Sequence, residues 1–290
     1  QAEDGIRDVE RSRGLGDVYK RQDVILLTKN SVKPCLDLCL RSIKREIPVN
    51  RLIVVDGGST DGTLNIIKRY KSLNPLIIID KNGNRATARQ IGISKIETKF
   101  FAFIDSDVVL PSGWFKEAIR YFNDPSVGAV WGATIPLNPK KLKYFTAMAR
   151  FYKKSLTELS KQTGSIRGML HDTLIRTSAV EDIRIPPYLH VMEDHYIRMH
   201  VEKKYKWIST DKPYCFHYFR EKNPSEAFLD AYYGWKYGVY SKTWYVKHLM
   251  LFWAKLLYLL LFTADTSVVD EELKKELYFL KATIDIMRGK

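Results

Sequence analysis

Four short apolar runs, at 24–28, 51–56, 76–80 and 99–104, alternate with stretches of helical periodicity. Runs of this length, rich in Val, Ile, Leu and Phe, suit strands covered on both faces. Strands and helices alternating at this spacing mean βαβ units around a mostly parallel sheet. Parallel strands align their carboxyl ends on one rim, and open α/β sheets bind ligands there. The fourth run ends in Asp105-Ser106-Asp107. Two carboxylates around one Ser can hold a hard divalent cation, and the cation a diphosphate. A lone Asp-x-Asp is often only a turn, so the rest of the rim matters. The first run ends in Thr28-Lys29-Asn30 and the second in Asp56-Gly57-Gly58-Ser59. Thr28, Asn30, Asp56, Asp105 and Asp107 are therefore expected to converge on one crevice.

Residues 1–22 have Gly and charge but no apolar periodicity. Their last codons back-translate to a sequencing-adapter end, so 1–22 is read as an adapter-derived or disordered tail, with the native chain beginning near Asp23. That tail holds five basic and five acidic residues, so the formal net charge of +14 belongs to the remainder. Such an excess suggests polyanionic partners: nucleotide diphosphates, an anionic membrane surface or nucleic acid. Cys35 and Cys39 lie among leucines on an expected helix and Cys215 stands alone. Their spacing gives neither a zinc site nor a disulfide framework, which fits a reducing compartment.

The domain is expected to cover 23–222. Within it, 140–155 reads as a basic helix without acids, and 163–168 as a Gly-containing loop. Pro186-Pro187 is a linker, and Glu193-Asp194 opens a helix through His200. Short strands are expected at 207–208 and 213–217. From 223 to 290 the pattern turns helical, basic and aromatic, with no Asp or Glu between Ala231 and Thr263. The apolar stretch 249–262 spans only ~21 Å at the α-helical rise, against a hydrocarbon core of ~30 Å. An interfacial helix and a packed helix with a snorkelling Lys255 are the two readings. A last helix, 271–288, places Leu273, Leu277, Leu280 and Ile284 on one stripe.

Taken in order, Thr28-Lys-Asn30, Val54-Val-Asp56-Gly-Gly-Ser-Thr-Asp-Gly-Thr63, Ala88-Arg89-Gln90-x-Gly92, Ile104-Asp-Ser-Asp107 and Glu193-Asp194 resemble family 2 glycosyltransferases. The resemblance covers about residues 23–217 and implies a GT-A fold: a Rossmann-like, mostly parallel sheet flanked by helices, here with a helical C-terminal appendage. It implies that Thr28, Asn30, Asp56, Arg89 and Asp105 bind the nucleotide or donor. It implies that Asp107, with Asp105, holds Mg²⁺ or Mn²⁺. His217 falls where some GT-A enzymes supply a third metal ligand; a structural His is the other reading. Asp194 matches the general base. Glu193 matches a group that contacts the acceptor or orients the base. Arg167 is a candidate contact for an acceptor phosphate.

The resemblance thus implies an inverting, metal-dependent transfer of one sugar from a nucleotide-diphosphate sugar to a hydroxyl or phosphate acceptor. The basic helix and the Lys/aromatic segment suggest a glycan or lipid-phosphate acceptor. They also suggest a place at the cytoplasmic face of a membrane, with peripheral contact through 231–263. The segment 195–207 lacks the Gln-x-x-Arg-Trp motif of processive synthases, so a chain-forming enzyme is not expected. The main rival is a nucleotide-sugar-binding module without transfer activity. A nucleic-acid partner is not expected, because no recognition motif accompanies the charge. Nor is a nicotinamide enzyme, because no G-x-G-x-x-G follows the first run.

Overall fold

The computed structural model describes residues 21–219 and 223–288. The tail expected over 1–22 lies outside the described residues except for Arg21 and Gln22. Gln22 already belongs to the first strand: its side chain is buried and its amide donates to Pro48 O at 2.7 Å.

Strands β1 (Gln22–Thr28), β2 (Val49–Asp56), β3 (Pro75–Ile79) and β4 (Phe100–Asp105) form a parallel set. Helices α1 (Leu36–Glu46), α2 (Thr63–Arg69) and α3 (Arg85–Ile93) connect them. Alternate residues of each strand enter different cores, as the pleat requires. Val24, Leu26, Leu52, Val54, Phe100 and Ala102 pack with α1 and α2. Ile25, Ile53, Phe101 and Phe103 face α3 on the other side. Each fully buried Phe of β4 contributes about 1.5–3 kcal/mol relative to exposure.

Beyond β4 come β5 (Val108–Val109), α4 (Trp114–Arg120), β6 (Val127–Pro136), α5 (Pro139–Phe151), α6 (Leu156–Arg167) and β7 (Asp172–Arg176). Then follow α7 (Glu193–Val201), β8 (Lys206–His217), α8 (Glu226–Lys236), α9 (Lys242–Thr263) and α10 (Thr266–Met287). Among the described residues the sheet has eight strands in the order β3-β2-β1-β4-β7-β6-β8-β5. β7 runs antiparallel between β4 and β6, and β8 runs parallel to β6.

Several expectations need correction. The two late strands are one, β8, with a register shift opposite Gly132/Ala133. The basic helix stops at Phe151; Lys153 adopts φ +53°, and Ser155 with Glu158 makes a capping box that starts α6. Residues 163–167 are thus helical, not a loop. Gly164 sits in that helix because the Trp131 indole lies against it: a Cβ there would come within 2.1 Å of the ring. Helix α9 has 22 residues, longer than the apolar stretch suggested, and is long and apolar enough to cross a membrane. On α10 three residues of the expected stripe face outward. Leu277, Leu280 and Ile284 are exposed, while Glu272, Glu276 and Phe279 are buried.

Candidate active site

After β1 the chain adds β2 and β3 on one side, then returns to place β4 on the other. The carboxyl ends of β1 and β4 therefore flank a topological switch point, the usual place for a crevice in such sheets. Register sets Thr28 beside Asp56 and Leu27 beside Asp105. A cleft of about 650 Å³ opens there, within the range of small-molecule and cofactor sites. Thr28, Arg89, Asp105, Asp107, Arg167, Glu193, Asp194 and His217 all line it.

Asn30 and Asp56 do not. Asp56 is fully buried, and its carboxylate accepts from Thr28 Oγ1 (2.7 Å), Gly58 N (2.9 Å), Ser59 N (2.7 Å) and Ser59 Oγ (2.6 Å). Those bonds occupy its lone pairs, so it shapes the 57–62 turn rather than offering itself to a base or ribose. Asn30, at φ +47°, accepts from Thr60 N at 2.9 Å and clamps the same turn. Gly57, Lys29 and Asp80 line the cleft on this side instead. Asp80 closes the strand-end series of the third run and binds Thr87 Oγ1 at 2.8 Å.

The carboxylate pair is completed by a distant strand. The two-residue β5 pairs with the end of β8 and sets Val108 opposite His217. His217 Nε2 thereby lies 3.3 Å from Asp107 Oδ1. Its Nδ1 is buried without a hydrogen-bond partner among the described residues, so the fold does not consume the imidazole. Carboxylate oxygen beside imidazole nitrogen is a donor set that suits Mn²⁺ or a related divalent ion. Behind it, ligand atoms of His171, Asp172 and Cys215 lie within 4.8 Å of one another. Burial holds the Asp172 carboxyl and the Cys215 thiol well above their ordinary values. In both, burial favours the protonated form, which opposes metal binding there.

Asp105 leads toward the other wall. Its Oδ1 is 3.3 Å from Arg89 Nη2, and Arg89 Nε is 3.5 Å from Glu193 Oε1. The buried guanidinium stacks 4.7 Å over the Phe103 ring, and its Nη1 has no hydrogen-bond partner among the described residues. It is a spare buried donor facing a cleft. Met192, at φ +74°, turns the chain so that Glu193 and Asp194 are the first residues of α7. The helix dipole favours carboxylates at that end. Burial first, then the adjacent Asp194, raises the Glu193 carboxyl above its ordinary value, while Arg89 opposes the rise.

Arg167, at the end of α6, meets this pair from across the cleft. Its Nε lies 3.0 and 2.9 Å from the two Asp194 oxygens, and its Nη1 2.5 Å from Asp230 on α8. The guanidinium expected to meet an acceptor phosphate is thus shared between two carboxylates. Burial alone would lower it, but Asp194 and Asp230 raise it well above its ordinary value. Glu226, one turn before Asp230, pairs with Arg85 at 3.2 Å. Neither α8 carboxylate was marked by the sequence, because nothing near it in the chain resembles a motif.

Comparison with known proteins follows these features. The model of "Glycosyl transferase family 2" matches residues 23–184. A poly(ribitol-phosphate) beta-N-acetylglucosaminyltransferase, TarS, of Staphylococcus aureus is 25% identical over 219 residues, 72% of this chain and 37% of that protein. A teichoic acid poly(glycerol phosphate) polymerase of Staphylococcus epidermidis is 29% identical over 136 residues, 42% of this chain and 19% of that one. An O-antigen chain rhamnosyltransferase, RfbN, of Salmonella typhimurium is 31% identical over 100 residues, 33% of this chain and 32% of that one. The chain thus spans between a fifth and two fifths of the length of these relatives.

Among solved structures, S. aureus TarS 1–349 in complex with UDP-GlcNAc aligns with a TM-score of 0.55 at 18% identity, over 93% of this chain and 92% of that one. The mannosyltransferase PcManGT from Pyrobaculum calidifontis, in complex with GDP-Man and Mn²⁺, aligns with a TM-score of 0.61 at 14% identity, over 93% and 88%. At such identities the likeness speaks for the fold, and the fold is GT-A. With the matched span running from β1 through the sheet's switch point to β7, the chain belongs to glycosyl transferase family 2.

Proposed function

We propose that the chain is an inverting, metal-dependent glycosyltransferase. It moves one sugar from a nucleotide-diphosphate sugar to a hydroxyl or phosphate on a glycan or lipid-linked acceptor. One observation carries the reading: a single cleft has Asp107 with His217 at one wall and Asp194 at the other. The Asp105–Arg89–Glu193 chain joins the two walls.

Asp107 and His217 would hold Mg²⁺ or Mn²⁺, with Asp105 beside them. The bound ion supplies charge neutralisation to the departing diphosphate. Thr28, Lys29 and Gly57 border the nucleotide side, and the unpaired Nη1 of Arg89 is available to a phosphate or sugar oxygen. Asp194 accepts the acceptor proton as its oxygen attacks the anomeric carbon. The new bond forms from the acceptor oxygen, the old carbon–oxygen bond to phosphate breaks, and its electron pair leaves with the nucleoside diphosphate. A single displacement of this kind inverts the anomeric centre. Arg167 and Asp230 position Asp194; Glu193, on its own arginine, orients the helix terminus beside it.

The ligands named with the neighbours, UDP-GlcNAc and GDP-Man with Mn²⁺, support a nucleotide-sugar donor and a divalent ion. The relatives named for polyol-phosphate polymers support a polymeric or phosphate-bearing acceptor. The basic charge of the chain and the acid-free segment 231–263 support work at the cytoplasmic face of a membrane. The test is Asp194→Asn. Sugar transfer is expected to disappear while nucleotide binding persists. Unchanged turnover would reject the base assignment, whereas a parent chain that binds the donor but turns none over with Mn²⁺ would favour a binding module.

A further inference from the structure

The C-terminal hairpin is built inside out. Between α9 and the rest of the protein lies a polar cluster. Lys255 pairs with Glu272 and, at 3.3 Å, with Glu276. His248 Nε2 is 2.7 Å from Glu276, and Tyr144 donates to Glu272 at 3.1 Å. The opposite side of α9 is apolar and open. Val246, Met250, Trp253, Leu257 and Leu261 recur at three- or four-residue spacing, so they form one stripe. Met250, Trp253 and Leu261 are 76%, 71% and 75% exposed. On α10, Leu277, Leu280 and Ile284 are exposed as well. A helix pair that turns Lys255, Glu272 and Glu276 inward and shows a continuous apolar stripe on α9 presents that stripe to an apolar surrounding, not to water.

We infer that this face lies in the interfacial layer of an anionic membrane, with α9 parallel to the surface and not crossing it. Length alone would permit a crossing, since 22 residues reach ~33 Å. Packing opposes it. Leu259 is buried with Ala147 and Met148 of α5, and Tyr245 donates to Ala231 O at 2.5 Å. Lys255 is tied midway along α9 to α10, whose own run of Asp, Glu and Lys could not enter hydrocarbon. The helix is thus fixed to the domain along its length and offers one side only.

Charge selects the lipid. No acid lies between Ala231 and Thr263. Exposed Lys242 and Lys247 stand at one end of the stripe. Arg150 stacks 4.7 Å over Phe262 at the other. Trp and Tyr accompany these cations, the composition of a headgroup layer. A second copy of this chain would have to match cations with cations across the same face.

This inference deepens the membrane part of the proposed function and rests on it, but its test is separable from catalysis. The full chain is mixed with vesicles of phosphatidylcholine alone, or with one-third phosphatidylglycerol, and floated through a density step. The chain is expected to float with the anionic vesicles at least tenfold better than with neutral ones. The triple variant Trp253→Ser, Leu257→Ser, Leu261→Ser is expected to lose at least tenfold in vesicle binding and keep Mn²⁺-dependent release of nucleoside diphosphate. Lys242→Glu with Lys247→Glu is expected to lose the preference for anionic vesicles. Flotation of the triple variant equal to the parent overturns the inference. So does a parent that ignores vesicles, including one that forms a dimer abolished by the triple variant. A parent that binds vesicles but releases no nucleoside diphosphate from any donor would instead count against the transferase reading and leave the membrane inference standing.

Discussion

Arg167 grips both oxygens of Asp194 through one nitrogen, at 3.0 and 2.9 Å, while a second nitrogen holds Asp230 at 2.5 Å. The carboxylate assigned as general base is therefore oriented from outside the sheet, by a helix of the C-terminal appendage. Tyr240 extends the chain, donating to Asp230 at 3.3 Å. Helix α8 thus reaches the cleft through the Arg167–Asp230 contact.

On the proposed mechanism Asp230 acts as a positioning residue. Asp230→Ala is expected to slow transfer by roughly tenfold, of the order that a displaced reactive group costs, through kcat more than through the donor KM. Asp230→Glu should recover part of the loss. A change confined to thermal stability, with kcat untouched, would show that the contact is only structural.

Gly164 supports the same arginine from below. Adding a methyl forces Trp131 or α6 to move, which costs about 1–3 kcal/mol in a packed core. Gly164→Ala should lower the unfolding midpoint and also reduce transfer, because Arg167 lies on the next turn of the helix. Denaturant unfolding and turnover, measured on the same preparation, check both halves.

The metal pair makes a third prediction. Loss of even an outer-shell partner commonly weakens metal binding ~10–100-fold, so His217→Ala should weaken Mn²⁺ by at least that range. Titration of Mn²⁺ by its relaxation of water protons gives the affinity without any need for turnover. An unchanged affinity would return His217 to a purely structural role.

Acid should loosen the appendage. Burial alone would raise the Glu271 carboxyl, but Lys141 and Lys275 bring it from its ordinary 4.5 down to about 2. A carboxylate whose folded value is depressed contributes stability that is complete above its unfolded value. That contribution is lost as pH falls from 4.5 through about 2. Glu271→Gln should therefore be less stable than the parent above pH 5 and lose less stability between pH 4.5 and 2. Parallel acid-denaturation curves would contradict this.

Much of this was legible in the chain. The parallel strands and their polar ends come from contiguous runs, so Thr28, Asp105 and Asp107 fall on the cleft as expected. Asp56 instead lies off the cleft lining, with four hydrogen bonds made within its own turn and with Thr28, which a motif does not reveal. Asp230 meets Arg167 across 63 residues, and no local pattern marks such a partner. The α10 stripe was legible but its direction was not: Lys255 on α9 pairs with Glu272 and Glu276 on the inner side, and Leu277, Leu280 and Ile284 face out.

The most direct measurement of the central claim is Mn²⁺-dependent release of nucleoside diphosphate from a panel of nucleotide sugars. The parent chain should release it from at least one donor, only with a divalent ion. Asp107→Asn should abolish release. No release from any donor with Mn²⁺ or Mg²⁺, or release that persists in Asp107→Asn, would contradict the account.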